Sequence, residues 1–388
     1  MKKLRKKICV ITGSRAEYGL LYWLLKDLKK SKNIDLQLIA TGMHLSPEFG
    51  KTIDQIKKDG FVVDREIDIL LSSDEPSAIA KSCGLCMISF SDAFKELKPD
   101  MIVLLGDRFE LLSVASTALL MNIPIAHIHG GEVTIGAYDD AIRHSISKMS
   151  WLHFVAHLSY KKRLIQIGEN ENQIFDVGGL GAYGISKIKL YNLKDLEKLL
   201  NFKINKDTIL ITYHPVTQEL DSVKQFKTLL NVLIKKKKYR IIFTMPNADN
   251  YGKSISNEIK KFVKSNSNRS IWFYSLGQKK YLSLLKYARA AVGNSSSGVL
   301  EAPSFDTPTI NIGSRQEGRV MAKSIINCKS DSKSINQAFK KIENSNFLEV
   351  AKISKNPFFK KNTSKDICKI LEEFEIPKNL KKKFYDIQ

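Results

Sequence analysis

The chain has 388 residues, 43% of them hydrophobic and 26% charged, long enough and apolar enough for two globular cores. Its 62 lysines and arginines against 40 acids leave a formal charge of +22, yet the lysines are scattered, with short runs only at 235–238 and 381–383, and no aromatic-interleaved basic motif or zinc knuckle joins them, so a small anionic ligand is expected and no nucleic acid. No apolar run approaches the ~18 residues of a membrane span, and the first, 8–11, is too short for a secretory core, so a cytoplasmic protein with no membrane partner is expected.

In chain order the apolar spacing predicts a strand over 7–12, a helix over 18–30, a strand over 35–40 and a helix over 49–58. A long helix over 78–97 precedes strands at 101–105 and 123–128, which flank a helix over 109–121. Both runs are apolar but for His127, as strands buried on two faces in a parallel sheet must be. A helix over 140–149, a strand at 152–155 and a helix near 160–167 complete a first domain, 1–179. The glycine-rich segment around 176–183 reads as a hinge, and a second alternation follows. Its strands are 208–212, 241–244, 271–273, 290–292 and 309–312, with helices over 223–235, 255–263 and 279–289. The expected fold class is therefore α/β, with two Rossmann-like, doubly wound parallel sheets facing a cleft. The second domain runs over 180–361, and a helix at 365–374 in the tail 362–388 is expected to pack back on the first.

Open parallel sheets bind ligands outside the carboxyl ends of their strands, so the polar residues there are the candidates. The strand at 101–105 ends in Gly106-Asp107-Arg108, and that at 123–128 ends in His129-Gly130-Gly131-Glu132. Asp139, Asp140, Arg143 and His144 follow at the start of the next helix. So many ionisable groups at strand ends point to a site. In the second domain, 293–298 reads Gly-Asn-Ser-Ser-Ser-Gly before a helix-like stretch. Its free N–H groups, the hydroxyls of Ser295, Ser296 and Ser297 and the helix dipole suit an anion. Arg315 and Arg319 close a neighbouring strand, Arg15 a first-domain one, and guanidinium forks suit diphosphate oxygens. His214, stopped at a strand end by Pro215, suits phosphate binding or proton transfer. Asn247 and Asp249 lie just past another strand, suited to a sugar or base.

Two alternatives are weighed and set aside. His127 and His129 alternate along a strand and so share a face, with Glu132 beyond, but no second ligand motif accompanies them. A structural His127 and a site-lining His129 are expected, with no metal. Cys83 and Cys86 form a lone C-x-x-C in a helix-like stretch and read as core packing.

Taken together, TGSRAEYG, ATGMHLSPEFG, LLGDRFE, HIHGGE, YDDAIRHSISKMS, YHPVT, MPNAD, GNSSSGVLEAPSF and NIGSRQEGR resemble the hydrolysing UDP-N-acetylglucosamine 2-epimerases of sialic acid biosynthesis over nearly the full length. The resemblance implies the GT-B arrangement of two Rossmann-like domains. It also implies loss of UDP from C1 with removal of the C2 proton, giving a 2-acetamidoglucal. Water then adds back to release N-acetylmannosamine, with no cofactor. Catalytic positions carried over are Asp107, Asp139 and His214. Nucleotide-contacting positions are Arg15, Gly19, Asn247, Asp249, Ser295, Ser296, Glu301 and Arg315, with Arg108 and Ser297 beside them. Many relatives read HIEGGE where this chain has His129, so the proton-transfer duty falls to His129 or to Glu132. HIHGGE and GAYDD also resemble hydrolysing epimerases of GDP-N,N′-diacetylbacillosamine. The UDP-N-acetylglucosamine reading ranks first and the bacillosamine reading second. A GT-B glycosyltransferase and a basic non-catalytic binder are more distant alternatives. A nucleotide-sugar substrate and a homo-oligomer are the implied partners.

Overall fold

The computed structural model describes residues 5–71, 75–134, 138–215, 221–246, 252–377 and 380–386. The expected ligand contacts at Asn247 and Asp249 lie outside those residues. The chain divides into two compact units. The first runs through Gly184 and resumes at Lys360; the second is essentially Ile185–Phe359.

The first unit holds a seven-stranded parallel sheet of β1 (Lys6–Thr12), β2 (Ile34–Thr41), β3 (Arg65–Ile67), β4 (Met101–Leu105), β5 (Ile125–Ile128), β6 (Leu152–Val155) and β7 (Ile174–Asp176). Their order is β3-β2-β1-β4-β5-β6-β7, so the winding reverses between β1 and β4. The continuous apolar runs have a direct cause. Met101, Val103 and Leu105 enter the core on one face of the sheet, while Ile102 and Leu104 enter that on the other. Strand β1 does the same with Ile8 and Val10 against Cys9 and Ile11.

The second unit repeats the plan with β8 (Thr208–Thr212), β9 (Arg240–Thr244), β10 (Ser270–Phe273), β11 (Ala290–Gly293), β12 (Thr309–Ile312) and β13 (Ile325–Cys328). The order β10-β9-β8-β11-β12-β13 reverses between β8 and β11. Ile209 and Ile211 face one core and Leu210 the other.

Three expectations need correction. The helix expected over 49–58 begins only at Ile53, because Pro47–Phe49 form a short 3-10 turn closed by Gly50 at φ +83°. The short strands β3, β7 and β13 went unread, since Arg65, Glu66, Asp176 and Asn327 cut their apolar runs short. His127 and His129 do not share a strand face. Strand β5 ends at Ile128 and His129 has φ +66°, which breaks the alternation.

The tail helix Thr363–Glu373 belongs to the first unit, with Ile367, Cys368 and Leu371 in its core. Ser364 Oγ donates to Asp27 Oδ2 at 2.5 Å, and Thr363 Oγ1 to the Val177 carbonyl at 2.8 Å. Cys86 Sγ lies 3.6 Å from the Glu110 carbonyl and Cys83 Sγ 3.8 Å from that of Phe109, both packed on the helix Phe109–Leu120.

Candidate active site

In the first unit the candidates gather where the winding reverses. Gly106, at φ +89°, turns the chain out of β4 and delivers Asp107 and Arg108. Asp107 is ion-paired with Arg143, a residue only 5% exposed. The pair fixes the carboxylate's orientation. Arg143 comes from the helix Asp139–Met149, which presents Asp139, Asp140, Arg143 and His144 along one face. Asp140 lies 3.8 Å from Arg143 Nη1 and 3.7 Å from His144 Nε2. Burial pushes His144 below the ordinary histidine range despite Asp140.

His129 and Glu132 form one assembly. The Leu180 N–H donates to His129 Nε2 at 3.3 Å, which places the ring proton of the neutral imidazole on Nδ1. That atom lies 3.5 Å from Glu132 Oε1. The question of which residue moves the proton thus becomes one about a coupled pair. Gly131 is demanded by packing: at φ +75°, a Cβ there would fall 2.5 Å from the Tyr160 carbonyl oxygen. His127 is structural, fully buried, with Nε2 2.7 Å from the Gly106 carbonyl and Nδ1 3.0 Å from Ser147 Oγ.

Arg15 stands exposed at the first residue of the helix Arg15–Lys30. Gly19 is exposed on that helix, where an added Cβ would meet nothing within 4 Å. Packing therefore does not require a glycine there.

In the second unit the anchor is Asn294, which the sequence pattern did not single out. Its Oδ1 accepts from the His214 N–H at 2.7 Å and its Nδ2 donates to the His214 carbonyl at 2.8 Å. Its own carbonyl accepts from Arg315 Nη1 at 3.1 Å and from Gln316 Nε2 at 2.9 Å. One 1% exposed residue thereby joins the ends of β8, β11 and β12. Gly293 makes the join possible: its φ is +133°, and a Cβ would fall 2.0 Å from the Thr212 carbonyl oxygen. Burial and the neighbouring Arg315 push His214 down to about 4, so it offers phosphate a neutral N–H rather than a charge.

Ser295 caps the helix Ser296–Leu300, accepting from the Ser297 N–H. That helix has only five residues, so loop N–H groups and hydroxyls are its main offer to an anion and the expected dipole term is small. A chain of hydroxyls lies behind it. Ser297 Oγ is 2.5 Å from Tyr281 Oη, which is 3.4 Å from Thr212 Oγ1, itself 2.5 Å from Thr244 Oγ1. Burial pushes Glu301, just after this helix, up to about 7. A cavity of about 510 Å³ beside β13, lined by Ile325, Asn327, Lys340 and Phe347 among others, gathers none of these groups.

The chain is similar to known proteins. A family model described as UDP-N-acetylglucosamine 2-epimerase matches residues 26–372. The chain is 49% identical over 346 residues, 89% of each sequence, to GDP/UDP-N,N′-diacetylbacillosamine 2-epimerase (hydrolyzing) of Campylobacter jejuni. It is 39% identical over 385 residues, 98% of each, to Polysialic acid biosynthesis protein P7 of Escherichia coli. The solved structure of UDP-GlcNAc 2-epimerase from Neisseria meningitidis bound to UDP-GlcNAc aligns with a TM-score of 0.80 at 20% identity, covering 94% of this chain and 99% of that one. That likeness shows the fold. Among the described residues no helix is long and apolar enough to cross a membrane.

Proposed function

The chain belongs to the UDP-N-acetylglucosamine 2-epimerase family and is a hydrolysing NDP-sugar 2-epimerase; from that premise we propose that its substrate is a nucleoside-diphosphate-linked N,N′-diacetylbacillosamine. One observation carries the choice: the 49% identity over 89% of the chain to a relative named for that sugar, against 39% to one named for polysialic acid. The ranking expected from sequence motifs, with UDP-N-acetylglucosamine first, is thereby reversed. The relative's name allows either guanine or uracil as the base.

In this reading a base removes the C2 proton while the C1–O bond breaks and the nucleoside diphosphate departs with the bonding electrons. Water then adds at C1 of the unsaturated sugar, and a proton returns to C2 on the opposite face. Two proton-transfer groups on opposite faces are needed. Asp107, oriented by Arg143, is one. The His129–Glu132 pair is the other: the Leu180 N–H occupies the imidazole's Nε2 lone pair, so Glu132 exchanges the proton and the His129 Nδ1–H steadies its carboxylate. Asp139 assists at the mouth of the same cluster. In the second unit Arg315, the His214 ring N–H and the Ser295–Ser297 hydroxyls suit the departing diphosphate; in the first, Arg15 and Arg108 suit an anionic substrate. Glu301 accepts from nucleotide hydroxyls, and Asn247, Asp249 and Gly19 complete the nucleotide contacts. Cytoplasmic residence and a homo-oligomer belong to the same reading, checked by fractionation and light scattering.

The test is incubation in deuterated water with UDP- and GDP-diacetylbacillosamine and, separately, UDP-N-acetylglucosamine, with NMR identification of the sugar. The proposal expects a free 2-epimeric diacetamido sugar carrying deuterium at C2, formed with higher kcat/KM than N-acetylmannosamine. Preferred turnover of UDP-N-acetylglucosamine overturns the substrate assignment. A retained C2 proton overturns the elimination.

A further inference from the structure

Two buried carboxyl groups that the reaction does not use meet beneath the strand ends of the first unit. Glu110, fully buried, accepts from Arg108 Nε through Oε1 at 2.5 Å. Its Oε2 is buried with no hydrogen-bond partner among the described residues. Glu17, 5% exposed, accepts through Oε2 from the Gly13 N–H at 2.9 Å and from Ser14 Oγ at 3.3 Å. Its Oε1 is likewise buried with none among them. Both carboxyls close on the same backbone turn, because a Cβ built on Gly13 would fall 2.4 Å from Glu110 Oε1. Strands β1 and β4 are hydrogen-bonded neighbours, so this is where the TGSRAEYG and GDRFE turns touch.

The charge count does not close if both acids are ionised. One guanidinium faces two buried carboxylates, and an uncompensated buried charge is costly. The other titratable groups around the cluster, among the described residues, add no cation. His44, whose Nε2 lies 3.0 Å from Thr12 Oγ1, is pushed down to about 4 by burial. The Cys86 thiol is pushed up to about 12 by burial and Glu110. Tyr138 is raised by burial, and Cys83 is the remaining neighbour. A single proton on the pair leaves one negative charge for one guanidinium.

We propose that Glu17 and Glu110 carry one proton and one negative charge between them and act as a positioning pair, fastening Arg108, and with it the Asp107 turn, to the Arg15 turn. Arg108 thereby offers its remaining N–H groups to the anionic substrate at a fixed place. Burial and the neighbouring Glu110 push Glu17 up to about 8, which assigns the proton to Glu17 at neutral pH. The substrate part rests on the epimerase reading; the single proton does not.

Glu17→Gln and Glu110→Gln test it, since the side-chain amide of Glu17→Gln keeps the Gly13 hydrogen bond and donates where the acid proton sits. Melting temperature against pH is read first. Wild type holds in its folded state a proton that the unfolded chain releases above about 4.5, so it loses stability relative to Glu17→Gln as pH rises from about 5 to 8. A difference that stays flat with pH overturns the single proton, whatever the enzyme's substrate. Kinetics are read second. Glu17→Gln removes the loss of kcat/KM expected of wild type above pH 8, and Glu110→Gln raises KM on the order of tenfold by releasing Arg108. An unmoved alkaline limb in Glu17→Gln, or an unchanged KM in a folded Glu110→Gln, overturns the positioning role. Conservative Glu110→Asp supplies the second variant should the amide fail to fold, with the same rise in KM expected and an unchanged KM counting against the proposal.

Discussion

Lys382→Met isolates a single charge that the C-terminal segment inserts into the first unit. Its Nζ is ion-paired with Glu169 Oε2 and donates to the carbonyls of Lys148 at 2.8 Å and Ser150 at 2.7 Å. Glu169 is fully buried, with His153 Nε2 2.8 Å from Oε2 and Lys148 Nζ 3.0 Å from Oε1. The segment is seated beside them: the Tyr385 N–H donates to the Gly168 carbonyl at 3.1 Å, and the Phe384 ring lies under Lys148 Nζ at 4.4 Å. Burial raises the Glu169 carboxyl, but the hydrogen bonds and charges of His153 and Lys382 outweigh it and hold the group below the usual glutamate range. The same burial pushes the Lys382 amine down more than Glu169 lifts it.

Breaking a buried ion pair from one side costs about 3–5 kcal/mol. The low end applies here, because Lys148 and His153 stay with Glu169 and burial already taxes Lys382. At about 3 kcal/mol, and about 2–4 °C per kcal/mol for a unit of this size, the melting transition falls by roughly 6–12 °C. Calorimetry at pH 7 reads it, with Lys382→Met/Glu169→Gln as the companion that removes the stranded charge and restores at least half of the loss. The sign with pH follows from the depressed carboxyl. Its contribution is complete above the unfolded value near 4.3 and disappears as pH falls through the lower folded value, so wild type and Lys382→Met converge in acid. A single variant melting within about 1 °C of wild type, or a double variant no better than the single, refutes the reasoning.

Asp107→Asn removes a proton-transfer group while keeping its shape, so turnover falls by about 10²–10⁴ while calorimetric binding of nucleoside diphosphate persists; full activity would remove Asp107 from the mechanism. Gly293→Ala drives a methyl into the Thr212 carbonyl at φ +133°, and urea unfolding should show a loss of about 3 kcal/mol or more. A near-neutral result there contradicts the described join of β8 and β11. Glu301 is raised to about 7, and an ionised carboxylate accepts nucleotide hydroxyls better than the acid. Nucleoside diphosphate affinity therefore rises up to about tenfold between pH 6 and 8, and Glu301→Gln flattens that rise; parallel curves for the two proteins count against the contact.

Element type and order were readable because apolar periodicity is a local property. Met101–Leu105, Leu152–Val155, Thr208–Thr212 and Thr309–Ile312 lie where their spacing predicts, and the runs Met101–Leu105 and Ile209–Ile211 are apolar because both faces of the strand are covered. The strand-end polar bursts, and through them the family, were equally local. Which charge meets which was not. Arg143 reaches Asp107 across 36 positions, Asn294 clamps His214 across 80, and Lys382 enters beside Glu169 from the far end of the chain. The order β3-β2-β1-β4 sets the turn after β1 against the turn after β4, and so brings Glu17 and Glu110 to one proton. Periodicity tells a residue which face it occupies; only the packed sheet decides its neighbour, because pairing energy depends on burial and distance rather than on separation in sequence.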